Sequence, residues 1–128
     1  MGLDMCLYSV PKGTEPTFDE RQELAYWRKT NAIHNFFDKW RANGNLRNGE
    51  YLRIYQPDLE NLRARCQTIL QNTSEANNLL PTTRGFFFGS VEYDEWYFKD
   101  LQATITHIDK IFNNDVFENH DVYYMGDW

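Results

Sequence analysis

Apolar and polar residues alternate from the start of the chain. Leu3, Met5 and Leu7 fall between Asp4, Cys6 and Tyr8, the period of a strand with one buried face. Pro11-Lys12-Gly13 ends it. Thr17-Phe18-Asp19-Glu20 has the Thr and Glu spacing of a capping box. The spacing predicts a long helix over 17–42, with Tyr26, Ile33, Phe36, Phe37 and Trp40 as its apolar stripe and Asn43-Gly44 as its stop. After an Asn- and Gly-rich loop, Tyr51 to Tyr55 alternates and predicts a short strand. Pro57 suits a first helical turn, and Leu59, Leu62, Cys66, Ile69 and Leu70 give the buried face of a second helix over 58–72. Leu79-Leu80-Pro81-Thr82-Thr83 reads as extended or a turn, because Leu80 precedes a proline. Gly85-Phe86-Phe87-Phe88-Gly89 reads as a short strand between two glycines. Tyr97, Leu101, Ile105, Ile108 and Phe112 mark a third helix over 93–112. Residues 113–128 form an aromatic C-terminal tail, with a strand at Val122-Tyr123-Tyr124. The sum is a single α+β domain over 1–128, about three helices packed on a small sheet.

Composition narrows the classes. The 128 residues carry 13 Lys and Arg against 19 Asp and Glu, a net charge of −6. That disfavours direct binding to nucleic acid, which asks for a basic footprint. The charge is lopsided: residues 1–64 hold 9 basic and 9 acidic side chains, residues 65–128 hold 4 and 10. A solvated acidic surface accounts for this, and so does an acidic face that docks on a basic partner. No apolar run approaches the ~20 residues that span a bilayer, so no membrane partner is expected. The first residues read as no secretory signal. Two cysteines, Cys6 and Cys66, make neither a disulfide framework nor a zinc cluster, which predicts a cytoplasmic protein. Aromatics make up 16% of the chain, more than a small core easily absorbs. Some are therefore expected to meet a ligand or a partner, a homodimer with a symmetric two-fold among the options.

Two segments concentrate chemistry. On the predicted first helix Trp27, Asn31, His34 and Asp38 share a face beside the core stripe, with Arg28 and Lys29 flanking the first. A polar boundary face with a half-buried Trp27 and a hydrogen-bonded His34 is the plainer account. In the second segment Thr82 and Thr83 offer hydroxyls and Arg84 a planar cation. Gly85 and Gly89 permit a bend or a close approach. Tyr93, Asp94, Glu95 and Trp96 open the third helix, where the carboxylates complement the helix dipole and the aromatics remain unexplained.

Together these parts fit a flat, charged ligand. Trp27, Phe87, Tyr93 or Trp96 stacks a base, at ~1–3 kcal/mol per base. Arg28, Lys29, Arg84 and the threonines hold phosphate. Asn31, His34, Asp94 and Glu95 read base or ribose edges. No nucleophile elbow, Walker loop or zinc-protease motif occurs. The sequence therefore points to no catalytic residue, no metal and no cofactor, and enzymatic use of His34 with Asp94 or Glu95 is the least favoured reading.

Three stretches carry a resemblance. They are Met1-Gly2-Leu3-Asp4-Met5, Ala25-Tyr26-Trp27-Arg28-Lys29-Thr30-Asn31-Ala32-Ile33-His34-Asn35-Phe36-Phe37, and Leu79 to Ser90 followed by Tyr93 to Tyr97. Over about residues 1–112 the chain resembles a family of small proteins encoded by phages and prophages, often labelled phosphoglycerate kinase. A chain of this length is too short for that two-domain kinase. Arg84 stands where similar proteins often have a small residue. The resemblance implies a phage product in the bacterial cytoplasm, and by analogy a counter-defence factor. The expected function is sequestration of a nucleotide-like immune signal. The alternatives are an anti-CRISPR-type inhibitor of a host defence nuclease with an acidic surface, and a small nucleotide-degrading enzyme. Sequestration requires Trp27 to His34 to lie near Thr82 to Trp96. Acidic mimicry requires Asp100, Asp109 and Glu118 on an exposed face.

Overall fold

A computed structural model describes residues 2–85 and 87–128 of the chain. Met1 of the first motif and Phe86 of the predicted Gly85–Gly89 strand lie outside the described residues. The architecture is α+β, built on a four-stranded antiparallel sheet: β1 (Asp4–Pro11), β2 (Gln22–Arg28), β3 (Tyr51–Ile54) and β4 (His120–Asp127), in the order β2-β1-β4-β3. The first and last strands are therefore central neighbours, paired from Asp4↔Asp127 to Pro11↔His120. Val122-Tyr123-Tyr124 is a strand as predicted, and most of the expected tail is the spine of the sheet.

Among the described residues five helical segments accompany the sheet, where about three were expected. They are α1 (Asn31–Asn35), continued by a π-helical stretch Phe36–Arg41; α2 (Gln56–Gln71); a 3-10 turn Thr73–Glu75 leading into α3 (Ala76–Leu79); α4 (Glu95–Asn113); and α5 (Val116–Asn119). The second and third predicted helices, 58–72 and 93–112, correspond to α2 and α4. Their caps explain the agreement. Pro57 sits in the first turn of α2, and the Tyr55 amide donates to Asp58 Oδ2 at 2.8 Å. Asp94 Oδ1 accepts the Tyr97 amide at 3.2 Å at the head of α4.

The predicted helix over 17–42 is corrected. Its first half is the edge strand β2, paired with β1 through Met5↔Trp27 and Cys6↔Tyr26. Within it Ala25 and Trp27 are buried while Tyr26 and Arg28 are exposed, a period of two that aromatic residues favour in a sheet. Lys29 follows at φ 55°, a left-handed conformation that ends the strand before α1 begins. The second half is helical and stops where expected, with Asn43 and Gly44 both at positive φ. None of the described residues of the Gly85–Gly89 segment is in a strand. Phe87 lies in a turn at φ 60°, and only Phe88 of the described phenylalanines there is buried.

The core lies on one face of the sheet. Leu3, Met5 and Leu7 of the N-terminal segment and Val122 and Tyr124 of β4 meet Ile33 and Phe37, the α2 face of Leu59, Leu62, Cys66 and Ile69, and the α4 face of Leu101, Ile108 and Ile111. Phe37 stacks on Tyr124 with centroids 4.1 Å apart. Both cysteines are free and buried. No helix among the described residues is long and apolar enough to cross a membrane.

Candidate functional site: a cleft between the head of α1 and the head of α4

Asn31, the first residue of α1, organises the site. It is buried, and its side chain makes three hydrogen bonds to one loop: Nδ2 donates to Phe88 O (3.1 Å) and Ser90 O (2.8 Å), and Oδ1 accepts the Thr83 amide (3.0 Å). A buried amide so satisfied is a pin, because each of these backbone groups would otherwise need another partner. Neighbouring bonds finish the loop. Asn35 Nδ2 donates to Pro81 O at 3.0 Å, Tyr97 Oη to Leu80 O at 2.7 Å, and Thr82 Oγ1 to Val91 O at 2.9 Å. Tyr93 Oη donates to Asn77 Oδ1 at 2.9 Å and accepts from the Thr82 amide at 3.2 Å.

The loop so held stands off α4 and leaves a cleft of about 220 Å³. Lys29 and Thr30 form one side, and Thr82, Gly89, Ser90 and Glu92 another. Asp94, Trp96 and Asp100 of the α4 side complete it. The two motif segments thus meet in space. Gly89 makes the meeting close: at φ +88°, an added Cβ would lie 2.9 Å from Lys29 Cβ. Trp96 is 65% exposed, and Lys99 Nζ lies 4.7 Å from its ring centroid, within cation–π range. Burial raises the Asp100 carboxyl above its ordinary value, opposed by the Thr30 hydrogen bond and assisted by the charge of Asp94.

The other predicted site residues are dispersed. Trp27 is 4% exposed and part of the core, its indole N–H donating to Thr104 Oγ1 at 2.9 Å. The predicted face of Trp27, Asn31, His34 and Asp38 therefore does not exist, since Trp27 is on a strand and Asp38 is in the π-helical stretch, where its Oδ1 accepts the Leu46 amide. Arg28 turns to the opposite strand and pairs with Asp4 at 3.1 Å. His34 is buried in an aromatic nest of Phe88, Tyr124 and Trp128, with Nδ1 2.6 Å from Tyr124 Oη. Burial lowers its pKa to about 4, against the attraction of Asp38. Thr83 and Tyr93 serve the loop through the bonds above. Phe87 is exposed, its carbonyl accepting from the Leu3 amide at 3.2 Å. Glu95 is exposed on the first turn of α4. Arg84 is exposed in a second depression beside the cleft.

The cleft also takes in Thr30, Ser90, Glu92 and Asp100, which the ligand-site reading of the sequence leaves out. Asp100 was the most legible, since it follows Trp96 by four and so shares its helix face. Asp100 and Asp109 are nine residues apart on α4, about half a turn out of phase. Asp100 lines the cleft, while Asp109 Oδ1 accepts from Arg63 Nε at 2.6 Å.

Chemically the cleft offers two aromatics, the exposed Trp96 and the buried Tyr97, with three carboxylates, hydroxyls and one lysine. Among the described residues no group of three or more His, Cys, Asp or Glu is placed to hold a metal ion. No protein-family model, curated protein or solved structure matches the chain.

Proposed function

We propose that the protein binds and sequesters a nucleotide-like small molecule in this cleft. The observation that carries the reading is Trp96, exposed beside Glu92, Asp94 and Asp100 in a cleft built by both motif segments. Lys99 covers one face of the indole, and the other takes a flat ring. The carboxylates accept from the amino and hydroxyl groups of a base and a sugar. These are parts that hold a ligand, and the aromatic nest around His34 uses the imidazole for packing. The resemblance to small phage-encoded proteins supplies the setting: a counter-defence factor in the bacterial cytoplasm that withdraws a nucleotide-like immune signal.

A thermal-melt panel of nucleosides, nucleotides, cyclic dinucleotides and ADP-ribose derivatives tests this. A ligand at 100 times its Kd adds about 2.7 kcal/mol of stability, an easily read upward shift in Tm. In Trp96→Ala the melt without ligand stays near that of the parent, because the side chain is mostly in solvent. Loss of one stacking contact, at ~1–3 kcal/mol, weakens binding about 5- to 150-fold by calorimetry. A flat panel with well-folded protein, or a Trp96→Ala variant that binds like the parent, overturns the reading.

A further inference from the structure

The cleft does not end at the loop. Beyond Gly89 and Ser90 lies the second depression, lined by Arg84, Gly85 and Val91 and sharing Gly89, Ser90 and Glu92 with the first. On that shared boundary the position a Gly89 side chain would take is filled by Lys29, and the Ser90 carbonyl accepts from Asn31 Nδ2. The Ser90 hydroxyl accepts the Glu92 amide at 3.0 Å, which leaves its proton to donate.

The lobes differ in charge. The first sets Lys29 against Glu92, Asp94 and Asp100, a poor seat for an anion. The second has an exposed guanidinium, Arg84, and Glu92 only on the shared rim. Among the described residues Arg84 has no carboxylate partner, so its bidentate face is open. A ligand with a ring at one end and an anion at the other matches this order, with hydroxyls between them to donate to Glu92.

We infer that the ligand is a phosphorylated nucleoside lying across Gly89 and Ser90, its ring against Trp96 and its phosphate against Arg84. This rests on the reading of the cleft given above and narrows it to one chemical class.

Calorimetry with adenosine, guanosine, their 5′-monophosphates, cyclic dinucleotides, ADP-ribose and inorganic phosphate tests it. For any ring that binds, the phosphorylated form is expected to bind about tenfold tighter than the nucleoside or more, the scale of a charge-assisted contact. In Arg84→Ala, checked for an unchanged melt, that gap closes. Nucleoside and nucleotide binding equally, or a gap that survives Arg84→Ala, overturns the inference and leaves the ring-binding cleft standing. Inorganic phosphate competing as well as the monophosphate also overturns it, because the second lobe is then a bare anion site. No binding by any probe removes the cleft reading and the inference together.

Discussion

Trp27→Ala is expected to destabilise the fold by about 3–5 kcal/mol, the usual cost of truncating a buried large aromatic. The indole sits between β2 and α4, with the His107 ring edge-on at 5.4 Å. Its N–H donates to Thr104 Oγ1, a group with no solvent exposure whose own proton goes to Asp100 O at 2.8 Å. Truncation opens a cavity and strips the hydroxyl of its donor, and the two costs add. Urea unfolding measures the loss directly. Trp27→Phe separates the terms, since it keeps much of the volume and loses the hydrogen bond, for about 1–3 kcal/mol. Trp96→Ala is the contrast, with little change in stability and a large loss of binding. If Trp27→Ala instead unfolds with the parent and loses ligand, Trp27 faces the ligand and its place in the core is wrong.

That contrast shows which kind of information the sequence held. α2 and α4 were legible because cap, first turn and apolar stripe agree within each segment. β1 and β3 were legible from their alternation, and β4 only as Val122-Tyr123-Tyr124 within the tail. Residues 17–42 misled because the Thr17 to Glu20 spacing imitates a helix start and the aromatics from Tyr26 onward also fit a helical stripe. Two things decide against a single helix there, and neither is local. Residues 22–28 gain a partner, β1, from the other side of a turn. Lys29 then adopts a left-handed conformation that a non-glycine residue seldom shows. The site follows the same division. Lys29, Asn31, Thr82, Asp94 and Trp96 could be named from their segments. That Asn31 would pin the loop, and so bring Ser90 and Glu92 into the cleft, depends on contacts more than fifty residues apart in sequence. Trp27 and His34 are buried away from the cleft, since the sequence pattern shows their chemistry without showing that a strand turns Trp27 into the core and that Phe88, Tyr124 and Trp128 enclose His34.

His34 gives the other large effect, read against pH. Its imidazole is enclosed by Phe88, Tyr124 and Trp128, and Gly126 closes the remaining side, where an added Cβ would come 3.0 Å from Nδ1. Burial there disfavours the charged ring and lowers its pKa from 6.5 to about 4. The unfolded chain therefore takes up this proton more readily than the folded one. The contribution is full above pH 6.5 and is lost as pH falls toward 4, because stability rises with pH wherever the unfolded state binds more protons. A shift of this size corresponds to about 3 kcal/mol. Carboxylates titrate in the same range with opposite signs: Asp100, raised by burial, works against the loss, and Asp4, lowered first by the Tyr26 hydrogen bond, adds to it at the acid end. Comparison with His34→Gln removes both contributions, since the amide keeps a polar group near Tyr124 Oη and does not titrate. Between pH 6.5 and 4 the parent is expected to lose about 3 kcal/mol more than His34→Gln in urea unfolding. Equal losses would mean that the ring titrates alike in the folded and unfolded chains, and the aromatic nest would then have to be open enough to hydrate the imidazolium.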